Sequence, residues 1–245
     1  MFDQPVFVFT TDIDWASEYC IDRLLGDMVG KGVIPTAYAT HKSPVLEKFQ
    51  HNDGVKVGLH PNFLPGSSHG DDRLGVIDHI TNLFPDAISF RSHCMVDDTH
   101  ISIIMKEKGM LYDSNLCLYL QSNLVPLHHW TGIPRFPMFW ADDIHWRRDG
   151  AFNLEPYEDI FFSPGLKIIG VHPFMYTLNL SDHDTYLNMK SHITTLNQKE
   201  AEQLRSSGPG SQTFLHQLID RVHEKGFKFQ TLDDVYQAYP KQGIY

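Results

Sequence analysis

The stretch Phe9-Thr-Thr-Asp-Ile-Asp-Trp15 closes the first apolar run of the chain with two carboxylates, Asp12 and Asp14. Side chains alternate along an extended strand, so residues 12 and 14 are expected on the same side, facing one spot. Two carboxylates held together repel unless something cationic stands between or beside them, and a divalent metal or a guanidinium meets that need. Other candidates lie further along. Val55-Lys-Val-Gly-Leu-His60 ends in histidine, the run from Ala87 ends in Arg91-Ser-His93, and Lys167-Ile-Ile-Gly-Val-His172 ends in another histidine. Neutral imidazoles from His60 and from His69 or His93, joined by one aspartate, make the nitrogen and oxygen set of a catalytic zinc-like centre with one position open for water. Zinc is the expected ion, with cobalt, nickel and manganese as alternatives. Each piece has a plainer reading when taken singly: Asp14 could cap the next helix, Gly58-Leu-His-Pro-Asn-Phe63 could be only a turn, and Arg91 could be a surface ion pair. Four separate strands that each end in Asp, Arg or His favour the metal centre.

Such residues need a scaffold that delivers strand ends to one place. Val6-Phe-Val-Phe-Thr-Thr11 reads as the first strand, and Tyr19, Ile21, Leu24, Leu25 and Met28 mark a helix over 16–29 that Gly30 and Gly32 stop. Residues 33–39 read as the second strand, 55–60 as the third and 87–90 as the fourth. Helices between them are marked by Val76, Ile80, Leu83 and Phe84, and by Ile101, Ile104 and Met105. A strand over 167–173, a helix from about Ser211, and a short strand turning into a helix at Gly226-Phe-Lys-Phe-Gln-Thr-Leu-Asp-Asp-Val-Tyr236 complete the pattern, with Arg205–Ser211 as a loop. Strands alternating with helices imply a parallel sheet, either a barrel or doubly wound. Both architectures bind ligands at the carboxyl ends of their strands, where the Asp, Arg and His residues fall.

At 245 residues the chain has the size of a single domain, 1–245, and 42% hydrophobic against 20% charged residues is an ordinary globular composition. A net charge of −10, with no basic run longer than Arg147–Arg148, argues against nucleic acid as a partner. Three widely spaced cysteines, without a Cys-x-x-Cys, argue against a disulfide framework and a zinc ribbon. The N-terminal residues lack a basic segment and no apolar stretch approaches a membrane span, so no membrane insertion is expected and the reading is a soluble, cytoplasmic protein. Nothing in the sequence fixes an oligomeric state.

The Asp-bearing first strand, Gly-Leu-His-Pro-Asn-Phe after the third, Arg-Ser-His after the fourth, the strand ending at His172 and the closing Gly-Phe-Lys-Phe-Gln-Thr-Leu-Asp-Asp together resemble the polysaccharide deacetylases of carbohydrate esterase family 4, the NodB-homology domain. With Tyr112-Asp-Ser-Asn115 and Phe139-Trp-Ala-Asp-Asp143, the pattern is more similar still to a divergent branch associated with surface-polysaccharide biosynthesis, including that of O-antigen. The resemblance spans nearly the whole chain. It implies an α/β fold, a distorted (β/α)7 barrel, and metal-dependent removal of an N-acetyl or other N-acyl group from a sugar. Carried over by position, it makes Asp12 the base, Asp14 and His60 metal ligands, Arg91 the partner of the base and His172 the acid. The chain departs from the pattern in three places. Ile13 separates the two aspartates, which leaves open which is base and which is ligand. Residue 64, where the family's second metal histidine falls four positions after the first, is Leu, which leaves His69 and His93 as candidates. Ser92-His93 stands where a proline is expected after the arginine.

On this reading Asp12 takes a proton from the attacking water, Arg91 helps to keep Asp12 ionised, and His172 protonates the departing amine. Trp15, Phe63, Trp140 and Trp146 offer rings for a sugar, and Asp142 and Asp143 offer carboxylates for its hydroxyls or for a leaving ammonium. Three rivals follow from the same residues: a glycosyltransferase using Asp-Ile-Asp as its Asp-x-Asp, a non-catalytic sugar-binding protein on a deacetylase scaffold, and a deformylase or amidohydrolase with a different acyl group. The first is weak, because only eleven residues precede Asp12, where such enzymes place a complete nucleotide-binding half.

Overall fold

The computed structural model describes residues 2–148 and 150–239. In chain order the elements are β1 (Pro5–Asp12), α1 (Glu18–Gly30), β2 (Thr36–Ala39), α2 (Pro44–His51), β3 (Lys56–Leu59), α3 (Arg73–Leu83), β4 (Ser89–Phe90), α4 (Thr99–Glu107), β5 (Tyr112–Asp113), β6 (Leu127–His128), β7 (Pro134–Arg135) and β8 (Trp140–Ala141). They continue with α5 (Asp142–Arg147), α6 (Glu158–Phe162), β9 (Gly165–Val171), α7 (Pro173–Leu178), α8 (His183–Met189), α9 (Gln198–Leu204), α10 (Ser211–Glu224), β10 (Phe229–Gln230) and α11 (Leu232–Ala238).

β1 is apolar on both faces because helices cover one side and the barrel interior the other, the mark of a parallel strand buried all round. It lies between β9, in register from Pro5↔Gly165 to Thr11↔Val171, and β2, which pairs with Thr10 to Asp12. From β2 the sheet continues in parallel through β3, β4 and β5 to β7. The extended stretch 134–141 then bridges the two margins of the sheet. At its start Arg135 pairs with Asp113, and Met138 forms a parallel bridge with Cys117. At its end Trp140 and Ala141 pair with Ile169 and Gly170 of β9. Counting 134–141 as one stave gives seven parallel staves, the distorted (β/α)7 barrel expected from the resemblance, with β6 and β10 as short additions.

Since the staves are parallel, all of their carboxyl ends lie at one rim. Side-chain caps fix where the helices start: Ser17 accepts from the N–H of Cys20, Asp72 from Gly75 and Asp98 from Ile101. Ser17, rather than Asp14, therefore caps α1. That helix buries Cys20, Ile21, Leu24, Leu25 and Met28, and among the described residues no helix is long and apolar enough to cross a membrane. One glycine bears directly on the site. A Cβ on Gly58 would lie 2.6 Å from the Tyr38 ring, so glycine in β3 lets that ring lie flat inside the barrel.

Candidate active site

β1 delivers Asp12 as its last residue, and β4 leads straight into Arg91. The Arg91 guanidinium is completely buried, with its Cζ 4.4 Å from the centre of the Tyr38 ring. Nη1 donates to Asp12 Oδ1 at 2.8 Å and to Thr10 Oγ1 at 3.0 Å, while Nε and Nη2 donate to the carbonyl and hydroxyl of Ser114. Burial works against the Asp12 carboxylate, yet Arg91, with His60 and His172 nearby, holds its pKa below the usual value.

Asp14 reaches the same spot by a different route from the one expected. β1 ends at Asp12, and Asp14 (φ 38°) and Trp15 (φ 55°) follow in left-handed conformations. Strand alternation therefore does not aim Asp14; a strained turn does. His60 follows β3, and its Nδ1 lies 2.6 Å from the Arg91 carbonyl. A carbonyl only accepts, so Nδ1 carries the proton and Nε2 turns its lone pair toward Asp14 Oδ1 at 3.1 Å. His93 opens a 3-10 turn in which Cys94 is left-handed, and its Nδ1 lies 2.9 Å from the same oxygen. One donor atom each from Asp14, His60 and His93 lies within 4.8 Å of the other two.

An imidazole lone pair facing a carboxylate oxygen needs a cation between them, either a proton or a metal ion. The surroundings show that demand. Burial opposes charge on Asp14, but His60 and His93 hold it far below the carboxylate range; burial likewise opposes charge on His93, but Asp14 pushes it up to about 10. One carboxylate and two imidazoles, one of them oriented by a backbone carbonyl, fit the donor set of zinc or a similar dication.

His69 stands apart from this group. Its Nδ1 accepts from the N–H of Asn62 at 3.1 Å, its ring stacks on His79 at 5.1 Å, and burial, with His79 beside it, lowers its pKa to about 4. Of the two histidines left open by the sequence, His93 is the one brought to Asp14.

His172 comes directly after β9. Its Nδ1 lies 2.7 Å from Asp142 Oδ1, while Nε2 points inward, 3.8 Å from Asp14 Oδ2. Asp142 is completely buried: Oδ2 also accepts from the backbone N–H of His172 at 3.0 Å and from Ser211 Oγ at 2.9 Å. It is thus occupied in holding the imidazole, and only its neighbour Asp143 faces the cavity. Burial disfavours a charged His172, but Asp142, Asp143 and Asp14 outweigh it and raise the pKa well above the usual histidine value. The hold of Asp142 on His172 was missed in the sequence. The signal was available, since Phe139-Trp-Ala followed by an acid is one more apolar stave ending in a charge.

Asp12, Asp14, His60, His93, Asp143 and His172 line a cavity of about 300 Å³ at the rim. Of the aromatic candidates, Trp140 is buried against Phe214, and Trp15 packs on His69 and His93. Phe63 packs partly buried against the core, and Trp146 lines an adjoining cavity.

A seven-stave parallel barrel with carboxylates, imidazoles and a buried arginine converging on its carboxyl rim has the NodB-type deacetylase architecture. The family model for WbmS-like polysaccharide deacetylases matches residues 9–190, and the chain belongs to that family. A solved structure described as a polysaccharide deacetylase involved in O-antigen biosynthesis, from Bordetella bronchiseptica, aligns with a TM-score of 0.80 at 29% identity, over 88% of this chain and 90% of that one. A polysaccharide deacetylase from Mycobacterium smegmatis shares the fold, with a TM-score of 0.50 at 16% identity over 93% of each chain. Comparison with curated proteins gives no match.

Proposed function

We propose that the protein is a metal-dependent hydrolase that removes an N-acetyl or related N-acyl group from an amino sugar, in a surface polysaccharide or its precursor. The observation that carries this reading is the meeting of three units in one cavity: Asp14 with His60 and His93, the Asp12–Arg91 pair, and the His172–Asp142 pair. The likeness to the Bordetella protein supports the surface-polysaccharide setting.

Asp14, His60 and His93 would hold the dication, which when bound polarises the acyl oxygen and makes a water acidic near neutral pH. Asp12 is the proton acceptor. Its Oδ1 is fixed by Arg91, and its Oδ2 has no protein partner among the described residues. Arg91 orients that carboxylate and keeps it charged, so Asp12 is ready to take a proton rather than to give one. His172 is the donor. With Nδ1 anchored on Asp142, only Nε2 faces the cavity, where it can pass a proton to the leaving amine.

The test is metal loading together with acyl release. Wild-type protein stripped by a chelator should lose acetate release from N-acetylated sugars and regain it with zinc. His60→Gln and His93→Gln should fail to retain zinc after dialysis, whereas His69→Gln should keep it. Full activity of the stripped protein, or transfer of a sugar to an acceptor in place of acyl release, would overturn the assignment.

A further inference from the structure

The cavity does not end at His172. A second one, of about 220 Å³, continues between α5 and α8, and both are lined by Asp14, His93, Asp143, Arg147 and His172. One wall is a face of α8 and its cap, where His183, Tyr186, Leu187 and Lys190 recur at i, i+3, i+4 and i+7. A stripe of that spacing ordinarily packs into a core. Here no residue of α8 is buried, and Leu187 is 51% exposed. The facing wall is Trp146, whose ring centre lies 5.5 Å from that of Tyr186. Trp146 is 7% exposed and Tyr186 half-buried, so these rings line the cavity wall and offer apolar surface to a ring-shaped polar ligand inside it.

Two cations without a carboxylate partner among the described residues meet at this end. The chain carries a net −10, and Asp12, Asp14 and Asp143 crowd the first cavity. The second cavity adds Lys190 to Arg147, and neither has a carboxylate partner among the described residues. Lys190 Nζ lies 6.0 Å from the Tyr186 ring centre. The Tyr186 hydroxyl is pushed up to about 12 by burial, Asp14 and Asp143, and Arg147 pulls it the other way, so its charge is felt at the same ring. Asp14, Asp143 and Arg147 reach both cavities, so what sets the second apart is Lys190, which gives an oxyanion a second cation beside Arg147.

We propose that the cavity between α5 and α8 is a subsite for an anionic unit joined to the acylated sugar, seated on Tyr186 and Trp146 with its phosphate or carboxylate at Arg147 and Lys190. This deepens the deacetylase reading and rests on it: the substrate is an acidic saccharide or a sugar nucleotide rather than a neutral amino-sugar chain.

Calorimetric binding to the zinc-loaded full chain tests it, using UDP-N-acetylglucosamine, a hyaluronan tetrasaccharide and neutral chitotetraose. One of the two anionic ligands should bind about tenfold more tightly than chitotetraose at low salt, as two solvent-accessible charge contacts allow. Which one binds separates phosphate from carboxylate. The preference should shrink in high salt and vanish in Arg147→Met/Lys190→Met, while Lys199→Met on α9 keeps it. Equal binding of all three ligands by the wild type, or a preference that survives the double substitution, overturns the subsite. Should the double variant fail to fold, the salt dependence of the wild type decides. Binding is read without turnover, so the two readings fail separately. Loss of the preference with no acyl release from any ligand removes the hydrolase and keeps the subsite; acyl release from all three without charge preference does the reverse.

Discussion

Replacing Arg91 by methionine should cost about 3–5 kcal/mol of folding stability, the range for removing one partner of a buried ion pair. The guanidinium is fully enclosed and makes four hydrogen bonds, to Asp12, Thr10 and twice to Ser114. Methionine can fill the space of the stem over Tyr38, but it leaves the Asp12 carboxylate, 8% exposed, without its cation. The orphaned charge and the unpaired Thr10 and Ser114 acceptors share that cost, since bonds from a charged guanidinium are stronger than neutral ones. Asp12→Asn should cost a similar amount, because it leaves the completely buried Arg91 guanidinium without its carboxylate, although the amide oxygen can still accept and the bonds to Thr10 and Ser114 remain. The double variant should then fall short of the summed single costs by about 1.5 kcal/mol or more, because no unpaired carboxylate remains. Urea unfolding followed by circular dichroism and tryptophan fluorescence measures each value, provided the slope stays constant. An Arg91→Met cost below about 1 kcal/mol, or strict additivity in the double variant, would refute the view that Arg91 and Asp12 act as one buried unit.

Asp142→Asn should lower kcat by roughly 10²-fold with little change in KM or in zinc content, because the substitution disturbs the proton on His172 and not the cation ligands; an unchanged kcat would remove Asp142 from the proton path. Lys167 on β9 is completely buried, with only Ser163 Oγ at 3.0 Å and the Phe139 ring at 4.1 Å as company among the described residues, and burial lowers its pKa to about 8. A shift of that size bounds the cost of its charge at about 3 kcal/mol, so Lys167→Met should stabilise the fold by about 1–3 kcal/mol at pH 7. Between about pH 8 and 10.5 the unfolded chain holds this proton and the folded chain does not, so wild-type stability should rise with pH there and the gap to the variant should close. A denaturant midpoint that does not move in either experiment would show that the ammonium is solvated.

The parallel arrangement was legible because buried strands such as 6–11 and 167–171 are apolar on both faces, and their polar last residues stand out against that background. Asp12, His60, Arg91 and His172 were visible by that rule alone. What was hidden depended on backbone bends that no periodicity encodes. Asp14 is swung in by a left-handed pair at residues 14 and 15, and His93 by a turn with a left-handed Cys94, so the choice between His69 and His93 had no signature in spacing. The stretch 134–141 was also obscure, because it pairs with β5 for part of its length and with β9 for the rest, and it reads as fragments rather than as a strand.

The bridging stretch 134–141 acts as a zip, and the residue at its far end is Asp142. A molecule unfastened along that seam would keep Asp14 and His60 in one continuous sheet, after β1 and β3 with β2 between them, but it would lose the anchor that aims His172. On the proposed reading, proton donation is thereby interlocked with completion of the ring: a half-assembled chain would keep the candidate ion ligands and yet stay silent.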